Sequence, residues 1–575
     1  MNPFISKSWK GLLTAILALA AFAFWQWGYP YALAFQEQCQ LFLFDGDYLC
    51  SRLAEPGGVA RYVAEFLVQF FNHITTGAII MALLLVLMQR LVWRLMRPAH
   101  QAWYLLSFVP PLLFWILMGD ENVMPTALVA LNLMLLSMVL CPKGKKASTA
   151  YLLVAMPLLY WVVGPLALLA AVYVAARHRK GWSGAVWAGV AVAYMVAVII
   201  VSGFCLPFPL KRLFLGMSYY RYVEVLSYLF AGVALVCLAL ALAGGRLPQP
   251  KAKSMAWRLV APQVAVVAAL VAWLGTGAYD SRKFDLIAYD YLVRANQWDK
   301  IISMSEKRQP DLPMSVCATN LALAMKQQLG ERAFEFYQRG TEGLLPKFHR
   351  NFATLQLTAE AYFQLGLVNT AQRLSFEAME ALPNYNKSAR AVKRLAETNL
   401  INGQYGVARK YLSMLGKTIF YRNWARRTAK LLGNEQAINQ HPLYGRLRSM
   451  RLDNDLLFSE QEADKICGQL FMRNNANTMA MQYLLLYPLL EGNIGKYVGY
   501  AQIVQNKVPY NPRSCQEATA YAFMRENQMP PQGLVPPMVV SQLQDFVATV
   551  KNGGKNAPQL EMYKNSVWYY LTREE

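Results

Sequence analysis

Residues 264–294 read VAVVAALVAWLGTGAYDSRKFDLIAYDYLVR, and the character of the chain changes inside them. Up to Tyr279 the stretch is apolar enough to sit in hydrocarbon. From Asp280 onward charges recur every few residues in a helical pattern. On the N-terminal side, from Gly11 to about Tyr279, apolar segments alternate with short basic loops. On the C-terminal side, from Ser281 to Glu575, no apolar run is long enough to cross a bilayer. The sequence therefore predicts two domains: residues 1–279, a transmembrane helical bundle, and residues 280–575, a soluble helical domain.

Composition fits this division. The chain has 575 residues, 55% of them hydrophobic, a mean hydropathy of +0.22 and a formal net charge of +22. In a soluble protein that charge would suggest nucleic acid. Here many of the cations lie between apolar spans, where orientation in the membrane accounts for them, and no nucleic-acid partner is expected. The eight cysteines form no C-x-x-C pair and the five histidines no H-E-x-x-H, so zinc and redox centres are not expected. No phosphate-binding G-x-x-x-x-G-K-[ST] loop is present.

A spanning helix needs roughly 20 apolar residues. About nine spans are predicted, near 11–29, 75–92, 102–119, 124–141, 149–163, 165–177, 183–204, 223–243 and 258–279. The fifth and sixth are short and meet at Gly164-Pro165, as a tight hairpin or a broken pair. Lys7 and Lys10, then Arg90, Arg94 and Arg97, then Lys143, Lys145 and Lys146, then Arg177, Arg179 and Lys180, and last Arg246, Lys251, Lys253 and Arg258 make every alternate loop basic. This places the N-terminus in the cytoplasm and the C-terminal domain outside, in the periplasm of a Gram-negative cell, with the protein a multi-pass component of the inner membrane. Trp25, Trp27, Tyr29 and Tyr31 read as an interfacial belt on a retained first helix, since no small-residue cleavage site follows it.

The outer loops carry the chemistry. Glu37, Asp45 and Asp47 lie close together after the first span. Residues 57–73 follow, with Val59, Tyr62, Val63, Phe66, Leu67, Phe70 and Phe71 on one helical face and Arg61, Glu65, Gln69 and Asn72 opposite, a pattern that predicts a helix lying in the interface. Asp120 and Glu121 occupy the next outer loop, and Lys211, Arg212 and Arg221 a later one. Acids and bases gathered at one membrane surface suggest glycosyl transfer from a lipid-linked sugar. A carboxylate would act as general base or hold a divalent cation, and the cations would neutralise the departing phosphate. The plainer reading is that these residues cap helices, pair with one another, as Asp47 with Arg52, or simply face water.

This layout, with an acidic first outer loop, interfacial helices and a ladder of spans, resembles the GT-C superfamily of membrane glycosyltransferases, several of which carry soluble domains after the bundle. The resemblance implies a polyprenyl-phosphate donor and a key acid in the first outer loop. The matching positions are Glu37, Asp45 and Asp47, with Glu37 favoured because it lies nearest the first span. A second resemblance rests on EQCQLFLF (37–44), PGGVARYVAEFLVQFF (56–71) and AETNLINGQYGVARKYL (396–412), which are similar to an uncharacterised family of multi-spanning Gram-negative proteins. It implies architecture and no activity.

In the second domain, turn positions recur at Asn296, Gly330, Gly366 and Gly403, about 34 to 37 residues apart, the period of tetratricopeptide repeats. Ala359, Tyr362, Gly366, Ala371, Ala378 and Pro383 form the best copy, and Gly492 with Pro509 suggests a later one. The fold class expected is therefore all-α: a polytopic bundle followed by an α-solenoid of tetratricopeptide-like repeats, whose concave face would take a protein partner. Arg409, Lys410, Arg422, Arg426, Arg427 and Lys430 read as a solvated basic face or a contact for anionic lipid. Cys39 and Cys50 are a candidate disulfide. Beside the transferase stand a non-catalytic scaffold that gathers envelope proteins on the repeats and, last, a transporter, for which Gly164-Pro165 and Pro110-Pro111 would be the broken elements.

Overall fold

Helices are the only open-chain way to satisfy backbone polar groups in hydrocarbon, and the apolar ladder folds as helices. The computed structural model describes residues 3–177, 179, 182–222, 224–225, 227–249, 256–349, 352–452 and 462–574. Lys180, Lys251 and Lys253 of the basic loops fall outside them, as does the side chain of Lys7. The described chain is all-α, its only extended pairings being the isolated bridges Val123–Tyr220 and Arg339–Thr341. It forms two compact units. The first joins Met1–Phe284 with Leu382–Ala389 and Lys417–Arg422, and the second holds Asp285–Ala381, Arg390–Gly416 and Asn423–Glu575.

The first unit runs α1 (Pro3–Ala23), α2 (Pro30–Gln38), α3 (Gly46–Leu53), α4 (Gly58–Val68), α5 (Ile74–Met96), α6 (Val109–Leu117), α7 (Pro125–Leu140), α8 (Lys145–Val163), α9 (Ala167–Ala176), α10 (Trp182–Cys205), α11 (Leu210–Leu215), α12 (Tyr228–Ala243) and α13 (Ala256–Thr276). Among the described residues, six helical segments are long and apolar enough to cross a membrane: Ser8–Gly28, Ile74–Met96, Lys145–Ala176, Trp182–Cys205, Tyr228–Arg246 and Trp257–Thr276. The spans expected near 102–119 and 124–141 are shorter apolar helices, Gln101–Leu117 and Pro125–Leu140. A 3₁₀ stretch, Gln101–Phe108, precedes α6 at Pro110-Pro111. The 145–176 segment folds back on itself. Gly164 takes φ +73°, and Ser148 Oγ donates to the Val174 carbonyl at 3.4 Å, which only a reversal allows.

Polar side chains join the helices where lipid offers no partner. Thr14 Oγ1 lies 2.7 Å from Tyr104 Oη, Gln89 Nε2 donates to Ser107 Oγ at 2.7 Å, and Asn132 Nδ2 to the Leu84 carbonyl at 3.2 Å. The aromatic belt is only partly a belt. Trp27 is exposed, but a π-helical turn, Phe24–Gly28, swings Trp25 into the interior, edge-on to Phe24 and Tyr279.

Helix α4 buries the polar side of the expected pattern, together with Phe71 from the apolar side. Its packed face is Gly58, Ala60, Arg61, Ala64, Glu65 and Val68, while Val63 is exposed and Tyr62, Phe66, Leu67 and Phe70 are only half-buried. Arg61, Glu65 and Gln69, on the polar side, are buried. Small residues on that side let α4 approach its neighbours. Gly57, at φ +79°, donates its N–H to the Tyr160 and Trp161 carbonyls, and a methyl on Gly58 would sit 1.7 Å from the Arg52 carbonyl oxygen.

The second unit takes up α14 (Ser281–Arg294) from Asp285 onward. It continues with α15 (Trp298–Lys307), α16 (Pro313–Met325), α17 (Leu329–Arg332), α18 (Phe352–Leu365), α19 (Val368–Glu380), α20 (Ala389–Ile401), α21 (Tyr405–Gly416) and α22 (Arg422–Ala429). Then come α23 (Glu435–Gln440), α24 (Pro442–Met450), α25 (Ala463–Arg473), α26 (Thr478–Leu490), α27 (Ile494–Gln505), α28 (Arg513–Arg525), α29 (Pro537–Gly553) and α30 (Val567–Glu574). Asn296, Gly366, Gly403 and Gly492 turn between helices with positive φ. Gly330 does not: it lies inside α17, pressed by Tyr510 and Pro512, and the left-handed turn falls at Gln327. Helix α26 is buried along its whole length from Met479 to Leu490. It ties distant turns together, since Asn477 Nδ2 donates to the Leu365 carbonyl at 2.8 Å and Gln482 Oε1 accepts from Leu329 N at 3.1 Å.

Gly58→Ala is expected to destabilise the protein by about 1–3 kcal/mol through overpacking. Gly232→Ala in α12, where a methyl meets nothing within 4 Å, should leave it unchanged. Thermal unfolding in detergent compares the two. Asn477 also caps α26 through Ala480 N, so Asn477→Ala is expected to cost about 2 kcal/mol in the same measurement.

Candidate functional site

Glu65 lies on the packed face of α4, so its carboxylate must find cations or stay neutral. It finds two. Arg52 Nε from α3 approaches Oε2 at 2.8 Å, and Arg61 Nε, one turn before Glu65, approaches Oε1 at 2.9 Å. Arg61 uses the rest of its fork as well. Nη1 meets Glu55 Oε1 at 2.6 Å, and Nη2 donates to Asn386 Oδ1 at 2.8 Å and the Asn384 carbonyl at 3.0 Å. Tyr48 donates its hydroxyl to Glu65, and Arg52 lies over the Tyr48 ring at 4.6 Å. The pairs balance in charge, and every nitrogen of Arg61 has a partner.

Burial alone would push the Glu65 carboxyl up, but Arg61 and Arg52 outweigh it and hold it below the usual carboxylate range. Burial would likewise lower Arg61, and the two glutamates raise it instead. Burial, then the Glu65 charge, drives the Tyr48 phenol well above its ordinary value.

This network forms one wall of a cavity of about 420 Å³. Asp45, just before α3, Asp47 of α3, Arg212 of α11, and Tyr385 and Lys387 of the 382–389 segment also line it. The segment is held by backbone pairing, Leu41 N to the Lys387 carbonyl at 2.9 Å, and by Asn384 Nδ2, which donates to the Met217 carbonyl at 2.6 Å. Asp45 pairs with Lys417 at 2.7 Å. Asp47 is exposed. Arg212 reaches Glu224 only at 3.6 Å, and its buried Nε has no partner among the described residues.

The other residues expected from sequence are placed elsewhere in the first unit. Glu37 is buried at the end of α2, where its carboxylate accepts from Gln38 Nε2 and from Tyr421 Oη at 2.9 Å, and Asn72 Nδ2 donates to the same Tyr421 at 3.2 Å. Asp120 and Glu121 belong to a third neighbourhood. Tyr220 donates to Asp120 Oδ2 at 2.7 Å, Lys283 approaches Glu121 at 3.5 Å, and Arg221 donates to the Glu121 carbonyl at 3.1 Å while lying over Phe35 at 5.0 Å. Lys211 is exposed. The structure thus brings Asp45, Asp47 and Arg212 together and leaves Glu37, Asp120, Glu121, Arg221 and Lys211 off the cavity lining.

Cys39 is buried and Cys50 exposed, and the structure records no disulfide between them. Among the described residues no group of three His, Cys, Asp or Glu gathers to hold a metal ion. The residues that sequence reasoning missed are Glu55, Tyr385 and Lys387, together with Arg52 and Arg61 as parts of a site. The one available signal was a charged pair, Arg61 and Glu65, at i, i+4 on the side of α4 that carries Ala60 and Ala64.

Among the described residues, the all-helical fold with six segments long and apolar enough to cross a membrane fits a membrane protein, and its buried charged network borders a cavity. The chain belongs to the family of unknown function DUF6057, whose model matches residues 5–574. No curated protein and no solved structure matches it.

Because the folded-state value of Glu65 is depressed, its contribution to stability is present above the ordinary carboxylate value of about 4.3 and lost as pH falls through the lowered value. Glu65→Gln should destabilise by about 3–5 kcal/mol at neutral pH, by leaving Arg61 and Arg52 short of an anion, and should flatten the acid limb of a melting-temperature profile.

Proposed function

We propose that the protein is an inner-membrane glycosyltransferase of GT-C-like layout, moving a sugar from a polyprenyl-phosphate donor to an acceptor on the periplasmic side. The observation that carries this reading is the cavity in which the exposed Asp47 and the incompletely paired Arg212 stand together. Asp47 takes the proton of an acceptor hydroxyl as its oxygen attacks the anomeric carbon. The bond from that carbon to the phosphate oxygen breaks, and the lipid phosphate departs with the electron pair, its charge met by Arg212 and Lys387. Asp45, already paired with Lys417, holds the loop rather than the proton. The buried network keeps α3 and α4 fixed around the cavity, which is the support such a site needs.

The topology proposed has about nine spans. Counting the folded 145–176 segment as two passes and the shorter helices Gln101–Leu117 and Pro125–Leu140 as one each supports that number. The alternation of basic loops supports a cytoplasmic N-terminus and a periplasmic second unit. The left-handed turns at Asn296, Gly366, Gly403 and Gly492 support a repeat origin for its helix pairs. One observation favours a second reading, a scaffold without catalysis: Glu37, Asp120 and Glu121 lie apart from the cavity, each neutralised or hydrogen-bonded in place. In that reading the exposed Arg409, Lys410, Arg426, Arg427 and Lys430 help present the second unit to a partner.

In a deletion strain complemented by variants, Asp47→Asn and Arg212→Gln should each lower an envelope glycan at least tenfold with protein level unchanged, and Glu37→Gln should retain it. An unchanged glycan in a combined Glu37, Asp45 and Asp47 amide variant would remove the transferase reading and leave the scaffold.

A further inference from the structure

A second cavity, of about 590 Å³, opens between the ends of α5, α9, α10 and α12. Four arginines line it: Arg97, Arg177, Arg179 and Arg246, with no aspartate or glutamate among the lining residues. The sequence explains the imbalance, because none of the stretches that supply the lining, 95–97, 172–177, 179, 184–188 and 241–246, contains an acid. All the acids of the first 280 residues belong to the segments 37–65, 120–121, 224 and 280.

Among the described residues, two of the four guanidiniums make hydrogen bonds. Arg177 Nη1 donates to the Cys141 carbonyl at 3.2 Å, and Arg179 Nη1 to the Ala175 carbonyl at 2.9 Å with its plane 3.9 Å from the Trp187 ring. These contacts aim the groups without neutralising them. The helix ends are also locked. Arg97 ends α5 at φ +43°, and a methyl on Gly244 would lie 2.3 Å from the Met96 carbonyl oxygen, so α5 and the end of α12 sit in direct contact. The remaining wall is Tyr173, two glycines and alkyl side chains such as Val172 and Leu242. Beside it α10 exposes Val186, Val190 and Val201. Converging cations without anions repel one another, and an anion at their centre removes that cost. The alkyl part of that wall and the exposed apolar flank fit a ligand with a tail.

We propose that this cavity binds the phosphate of an anionic phospholipid, its acyl chains running along the apolar flank of α10. The shared chemistry is a phosphoryl group met by a guanidinium cluster, and the source, lipid or free phosphate, is separated by the test. Full-length protein, delipidated in a neutral detergent, is melted with added phosphatidylglycerol, phosphatidylcholine or inorganic phosphate, and co-purified phospholipid is counted by native mass spectrometry. Phosphatidylglycerol is expected to raise the melting temperature by several degrees, and the other two to have little effect. The Arg177→Gln/Arg246→Gln double variant should lose most of that rise and most of the bound lipid, while the corresponding double Lys variant keeps both. If inorganic phosphate alone reproduces the rise, the lipid assignment is overturned in favour of a soluble anion. Equal response to phosphatidylcholine, or an undiminished rise and lipid count in the Gln variant, overturns the site itself.

Discussion

One carboxylate shared by two guanidiniums organises the first unit. Glu65 sits on the packed side of α4 and cannot remain charged there without Arg52 and Arg61. That requirement fixes α3 against α4, because Arg52 comes from one and Glu65 from the other. It also fixes the 384–386 stretch, because the remaining Arg61 donors end on Asn384 and Asn386. A chain segment more than three hundred residues distant is thereby built into the wall of the cavity. A network of this kind is weak evidence for stability in itself, since two well-packed apolar residues can do as well. Its effect here is geometric: it determines which backbone surfaces surround Asp47 and Arg212.

The way α4 is turned shows why the sequence could be read for the helix and not for its orientation. Periodicity places Arg61 and Glu65 opposite Tyr62, Val63 and Phe66, and the rule learned from soluble proteins sends the charged side to solvent. Here the charged side packs against α3 and the 384–386 stretch, where its charges cancel, and the aromatic side is left half-buried, with Tyr62 and Phe66 against Phe42. The same local ambiguity hid Trp25, whose inward turn depends on a single π-helical turn that no composition signals. Gly330 marked a repeat boundary by spacing alone, yet the backbone reverses at Gln327, because the spacing carries no information on which residue takes positive φ.

Other parts were legible because they rest on stronger constraints. The Gly164-Pro165 reversal follows from a glycine at positive φ before a proline. Carboxylates with their partners border the cavity around Asp47, and arginines with no carboxylate among the lining residues border the one at the ends of α5, α9, α10 and α12. The sequence shows which loops hold those charges, but only the fold shows that Asp45 and Asp47 line one cavity with Arg212 while Glu37 turns instead to Tyr421.

The central claim is that the Arg61–Glu65 pair and its neighbours act as a unit. A double-mutant cycle with Arg61→Met and Glu65→Leu, read as unfolding free energy of the full-length protein in detergent, measures it directly. The account predicts that the double variant is far less destabilised than the two single variants together, with a coupling of about 2–3 kcal/mol. Effects that add to within about 0.5 kcal/mol would mean that the two side chains contribute independently, and the organising role given to Glu65 would be contradicted.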